Sequence, residues 1–132
     1  MSENHVIGTG IDLVELERIA RALEQWGDRF RNRVFLPAEQ SYCEQASQPV
    51  SRYAARFAVK EAVAKALTTG IGRQLSWLDI AVGHDAAGAP TVELSARARE
   101  LADRRGIARF QVSISHTRQQ AVALALALGP CP

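Results

Sequence analysis

From Val50 to Leu67 the chain contains neither glycine nor proline, is rich in alanine, and repeats apolar residues at Tyr53, Phe57, Val59, Val63 and Ala66. That spacing predicts one long helix. Six alanines, at 54, 55, 58, 62, 64 and 66, leave room for other backbone to approach closely, so the helix is expected to be buried and the rest of the fold to pack around it. Thr68-Thr69-Gly70-Ile71-Gly72 ends it.

The flanking segments read as mixed structure. Residues 5–14 are β-branched and punctuated by glycine, which predicts a strand ending near Asp12. A helix is expected to follow, with Asp12 and Glu15 as a capping pair, apolar positions at Leu13, Leu16, Ile19, Ala20 and Leu23, and a stop at Gly27. Pro37 opens a short helix containing Glu39, Tyr42 and Cys43. Residues 77–82 and 91–94 form a hairpin turning through Asp85, Gly88 and Pro90; Ser95 caps a polar helix running to about Arg105 and stopped by Gly106. Residues 110–117 and 120–128 form two last strands, antiparallel through the link at 117–119. The expected class is α+β, a small mostly antiparallel sheet packed on a long central helix, with residues 1–132 as a single domain.

Composition narrows the function. With 47% hydrophobic and 23% charged residues the chain suits an ordinary folded core. Cys43 and Cys131 are too far apart in kind and place for a disulfide framework or a zinc site, which fits a reducing compartment and a cytoplasmic location. The N-terminus has no basic region followed by an apolar one, and the longest apolar run, Ala121–Leu128, is far short of a bilayer span, so neither export nor a membrane anchor is expected. The net charge of +2 is uneven: residues 18–33 and 97–109 each carry five arginines against two acids. Such patches suit an acidic partner or phosphates, or are solvated helix faces. No nucleic-acid motif accompanies them.

Of sixteen basic residues only Lys60 and Lys65 are lysine, flanking Glu61. A lysine ammonium is a compact charge that binds phosphate or moves a proton where a guanidinium does not. At helical spacing Phe57, Glu61 and Lys65 share a face, with Arg56 and Lys60 beside them. The group is either a solvated i,i+4 pair or the lining of a cleft. Asp12 is likewise either a helix cap or a ligand. Together Asp12 and Glu61 make the carboxylate pair with which a magnesium ion that works on phosphates is commonly held, and Arg56 with the lysines would neutralise a diphosphate. On the strand 110–117, His116 ends the row Phe110, Val112, Ile114, as a core-end residue or a phosphate ligand. Ser115 points to the opposite face, which disfavours a serine nucleophile paired with that histidine.

Three segments in order, Gly-Thr-Gly-Ile-Asp12 followed by Arg18-Ile19, Arg56-Phe-Ala-Val-Lys-Glu-Ala-Val-Ala-Lys65 running into Thr69-Gly70-Ile71, and Ser113-Ile-Ser-His-Thr117, resemble the holo-acyl-carrier-protein synthases, the short class of 4′-phosphopantetheinyl transferases. The resemblance spans nearly the whole chain and implies the fold of that class. It implies transfer of the phosphopantetheine arm of coenzyme A to a serine of an apo acyl carrier protein, releasing adenosine 3′,5′-bisphosphate, in fatty-acid and related lipid biosynthesis. It also implies magnesium on Asp12 and Glu61, with Lys65 and Glu61 as catalytic candidates. Arg56, Lys60, Lys65, Thr69, Gly70, His116 and Thr117 would line the coenzyme. Arg18, Arg29, Phe30 and Arg33 would dock the acidic carrier. The family is typically homotrimeric, with sites at subunit junctions. The alternative is another magnesium-dependent phosphotransfer enzyme with a different acceptor. One departure stands out: Thr68 occupies the position of the first glycine in the family's Gly-Thr-Gly, and threonine tolerates positive φ badly.

Overall fold

The computed structural model describes residues 5–131; the leader reading at residues 1–4 lies outside them. Strands β1 (His5–Glu15), β5 (Gln120–Gly129) and β4 (Arg109–His116) form an antiparallel sheet in the order β1-β5-β4, and β2 (Ile80–His84) pairs with β3 (Pro90–Leu94) in a separate hairpin. Helices α1 (Leu16–Trp26), α2 (Asp28–Val34), α3 (Pro37–Glu44), α4 (Pro49–Ala66) and α5 (Ala96–Arg104) complete the α+β fold.

Helix α4 is the centre, as its composition predicts. It packs on β1 and β5, and most of its residues are buried. The sheet face it covers is made of Ala121, Ala123, Ala125 and Ala127, all essentially inaccessible. On β1 the corresponding face carries Gly8 and Gly10: a Cβ on Gly8 would press on the carbonyl oxygen of Ala66, and one on Gly10 would overlap that of Ala62. Strand backbone therefore lies directly on helix backbone. The larger side chains of this sheet point the other way. Ile11 and Leu13 are 60% and 58% exposed and Leu124, opposite Ile11, is 41% exposed.

Three expectations are corrected. Asp12 is not a helix cap: β1 continues to Glu15, and Asp12 pairs with Ala123 in the ladder. The ladder persists because β5 keeps supplying partners; Glu15 accepts from Gln120 Nε2 at 3.0 Å, and the Leu16 N–H donates to Gln119 O at 2.9 Å. Helix α2 was not expected, because Gly27, at φ 53°, redirects the chain without ending helical structure on its far side. Residues Trp77–Asp79 form a 3-10 turn, not strand, because Ser76 Oγ accepts from the Leu78 N–H while Asp79 Oδ2 accepts from the Ser76 N–H.

The hairpin turn and the Ser95 cap match expectation: Asp85 Oδ1 accepts from Ala87 and Ala89 N–H groups, and Ser95 Oγ accepts from the Ala98 N–H. Both cysteines are free; burial pushes the Cys43 thiol up to about 12, leaving it inert. Among the described residues no helix is long and apolar enough to cross a membrane.

Candidate functional site

The close crossing of β1 over α4 determines where Asp12 goes. Gly8, Gly10 and Asp12 follow one another on the strand's helix-facing side, so the first side chain after the two glycines emerges beside the α4 face that carries Glu61 and Lys65. Lys65 Nζ donates to Asp12 Oδ1 at 3.3 Å and to Ile11 O at 2.8 Å. Glu61 Oε2 accepts from Trp77 Nε1 at 2.9 Å. Burial pushes the Glu61 carboxyl above the usual carboxylate range; the Trp77 N–H opposes this, the charge of Asp12 adds to it, and Lys65 and Arg18 relieve it. Two carboxylates thus feel each other's charge across a lysine, in a half-buried setting.

Arg18 stands over the Phe57 ring at 5.7 Å, and Phe57 in turn stacks on Trp77 at 6.1 Å. This arginine, expected on the carrier-docking surface, therefore belongs to the surroundings of Glu61. The other three docking candidates do gather: Arg29, Phe30 and Arg33 line a groove with Trp26, Val34 and Trp77.

Lys60 is a correction. It is entirely buried, its ammonium pairs with Glu39 Oε1 at 2.8 Å, and it donates to Trp77 O and Ile80 O, each at 2.9 Å. All three of its protons are used inside the protein, so none reaches a phosphate. Burial lowers its pKa, with Glu39 opposing.

Arg56 is not on the Glu61 face either. Five residues along an α-helix amount to a turn of about 140° beyond one full revolution, so Arg56 points elsewhere. There it lines a pocket with Tyr42, Arg52, His84, Ile114 and His116. The Arg52 and Arg56 guanidiniums lie 4.0 and 4.2 Å from the Tyr42 ring centre, and His84 packs on the same ring at 4.7 Å. Arg56 is 7% exposed, and its Nε is buried without a hydrogen-bond partner. A buried guanidinium N–H left open beside two histidines and a second arginine suits an anionic ligand. His116 is exposed, and Thr117 next to it caps the β4–β5 turn, accepting from the Gln119 and Gln120 N–H groups at 3.2 and 3.1 Å.

After α4, Thr68 adopts φ 62° and Gly70 φ 64°. Thr68 is held in this left-handed conformation by Arg105, which donates to Thr68 Oγ1 and, at 2.8 Å, to Leu67 O. Thr69 Oγ1 is buried without a partner.

Sequence reasoning missed Trp77, Tyr42, Arg52 and His84. Trp77 lies 16 residues from Glu61, with no periodicity linking them. The Tyr42–Arg52–His84 grouping joins three elements that only the fold brings together.

A family model described as the 4′-phosphopantetheinyl transferase superfamily matches residues 8–126. The holo-[acyl-carrier-protein] synthase of Koribacter versatilis is 45% identical over 118 residues, 89% of this chain and 94% of the relative. The crystal structure of holo-[acyl-carrier-protein] synthase from Neisseria meningitidis superposes with a TM-score of 0.87 at 36% identity, covering 93% of this chain and 98% of that one. The Helicobacter pylori enzyme, in complex with coenzyme A, superposes with a TM-score of 0.80 at 35% identity, covering 90% and 98%.

Proposed function

The chain belongs to the 4′-phosphopantetheinyl transferase superfamily, and on that premise we propose that it moves the phosphopantetheine arm of coenzyme A onto a serine hydroxyl of an apo acyl carrier protein, with magnesium, releasing adenosine 3′,5′-bisphosphate. The observation that carries this reading is the convergence of Asp12, Glu61 and Lys65 where β1 crosses α4. Coenzyme A in the Helicobacter pylori relative supports the choice of donor.

The residues fit a magnesium ion: two oxygen-donor carboxylates in one another's field are the usual protein share for a metal that takes its other ligands from water and phosphate. Bound there, the ion would neutralise charge on the pyrophosphate. Lys65 spends two of its three N–H groups on Asp12 and Ile11, among the described residues, and its third is available to a phosphate oxygen. In that position the ammonium stabilises negative charge growing on the leaving phosphate. Glu61, held by Trp77, orients on the same centre. The close packing of strand on helix fixes these groups relative to one another, which would present the diphosphate in line to the serine.

Arg56, with its open buried Nε, Arg52, His84 and His116 form the anion pocket for the nucleotide end, and Thr69 and Gly70 border the arm. Arg56 and Glu61 diverge on α4, and a coenzyme shared between neighbouring chains of a homotrimer would use both. The exposed Ile11, Leu13 and Leu124 supply an apolar sheet face for that assembly. The groove of Trp26, Arg29, Phe30 and Arg33 offers cations around an apolar floor to an acidic carrier helix.

The test is the mass of apo acyl carrier protein after incubation with this protein, coenzyme A and magnesium. The reading expects a phosphopantetheine adduct on the carrier serine, together with free adenosine 3′,5′-bisphosphate. Transfer of phosphate alone, or to another acceptor, overturns it.

A further inference from the structure

Trp77 is gripped at both ends by consecutive residues of α4. Lys60 Nζ donates to its backbone carbonyl at 2.9 Å, and its own indole N–H donates to Glu61 Oε2 at 2.9 Å. Lys60 is fixed in turn by Glu39 and Ile80 O, and Glu39 accepts from the N–H groups of Leu36 and Val82, both at 2.7 Å. The indole also stacks on Phe57, one helical turn before Glu61. The backbone of Trp77 is thus held by the buried Lys60, and its ring by the buried Phe57 and the half-buried Glu61.

A glutamate side chain is otherwise free about several bonds, and that freedom is lost when it takes a ligand. By holding Oε2, the indole N–H sets the direction in which Oε1 points, before any ligand arrives. We propose that Trp77 is a positioning residue: its indole N–H orients the Glu61 carboxylate toward a divalent cation shared with Asp12, and the buried Glu39–Lys60 pair keeps Trp77 in place for that task. This rests on the magnesium reading above. Groups that orient metal ligands in this way are commonly worth about 10- to 100-fold in metal affinity.

The experiment titrates manganese, as a stand-in for magnesium, into protein saturated with coenzyme A, and follows free ion by its paramagnetic resonance signal. Trp77→Phe keeps an aromatic ring to face Phe57 and removes the indole N–H together with the rest of the five-membered ring. The expected result is manganese binding weakened by about 10-fold, with metal-free coenzyme A affinity unchanged and the variant still folded at the assay temperature. Affinity within about two-fold of the unaltered protein overturns the proposal, two-fold being well under the smallest effect expected of such a partner. Asp12→Asn separates the two ways of failing. If Asp12→Asn loses manganese and Trp77→Phe does not, the positioning role alone falls; if neither variant changes affinity, the metal reading falls and takes the role with it. Should Trp77→Phe not fold, the indole proton resonances of the unaltered protein decide. Magnesium must shift that of Trp77 and leave Trp26 in place, and an unmoved Trp77 signal refutes the role.

Discussion

Lys65 reaches across to Asp12, Nζ to Oδ1 at 3.3 Å, and seats the same ammonium on the carbonyl of Ile11 at 2.8 Å, tying α4 to β1 through residues that stand 53 and 54 positions apart. The seat is small because Gly8 and Gly10 have brought strand and helix backbones together just before it. A guanidinium is planar and broad where an ammonium is compact. Lys65→Arg is therefore expected to lower the rate of transfer to the carrier far more than it weakens coenzyme A binding, read as separate effects on kcat and on the affinity of coenzyme A. Equal losses in both would count against a role for Lys65 in the transfer step.

Glu61 makes stability depend on pH in a direction opposite to most carboxylates. Burial raises its folded value above the ordinary 4.5, so between 4.5 and that raised value the folded chain binds more protons than the unfolded one. Stability conferred by the protonated form is present at low pH and declines as pH rises through that window. In chelator, the stability of the unaltered protein relative to Glu61→Gln is expected to fall as pH is raised from 4.5. Urea midpoints of the two proteins across pH measure this, and a constant difference contradicts it.

The Lys60–Glu39 pair, 0% and 4% exposed, predicts a structural penalty with no direct cost in phosphate contacts. Lys60→Met leaves a buried carboxylate without its counter-charge and is expected to cost about 3–5 kcal/mol. Chemical denaturation gives the cost. A loss below about 1 kcal/mol, the range of a solvent-exposed pair, contradicts the assignment of Lys60 to the core.

Thr68 holds φ 62° against its own preference, a cost of about 1–3 kcal/mol. Thr68→Gly removes the strain and forfeits the hydroxyl contact with Arg105, while Arg105 keeps Leu67 O. The net expectation is a gain of about 1 kcal/mol, whereas Thr68→Val, branched but without the hydroxyl, loses about 1–2 kcal/mol. Melting curves should rank the three as glycine, threonine, valine, from most to least stable. A valine variant as stable as the unaltered protein contradicts the Arg105 clamp.

The long helix was legible because alanine-rich, proline-free periodicity over residues 50–67 has one reading, and structure differs from it by a residue at each end. The carboxylate pair was legible as chemistry but not as geometry: Asp12 was expected to cap a helix, and only the continued pairing with β5 keeps it in the strand. Lys60 and Lys65 look equivalent in sequence, yet five helical positions turn one into the core and the other toward Asp12. The alternation of alanine with valine and leucine in β5 reverses the usual arrangement, since the small residues face α4 and the large ones face out. Periodicity marks two faces and does not say which one is covered. Trp77 left no signal, because its contact with Glu61 depends on a 3-10 turn that local hydrogen bonds of Ser76 and Asp79 create.

The most direct test is a double-mutant cycle on Asp12 and Glu61, read as the rate at which coenzyme A modifies apo acyl carrier protein under saturating magnesium. If the two carboxylates grip one ion, Asp12→Ala, Glu61→Ala and the double variant will all be slowed to nearly the same residual rate, because removing either dismantles the shared centre. Penalties that simply multiply in the double variant, or a single variant that modifies the carrier at the full rate, contradict the account.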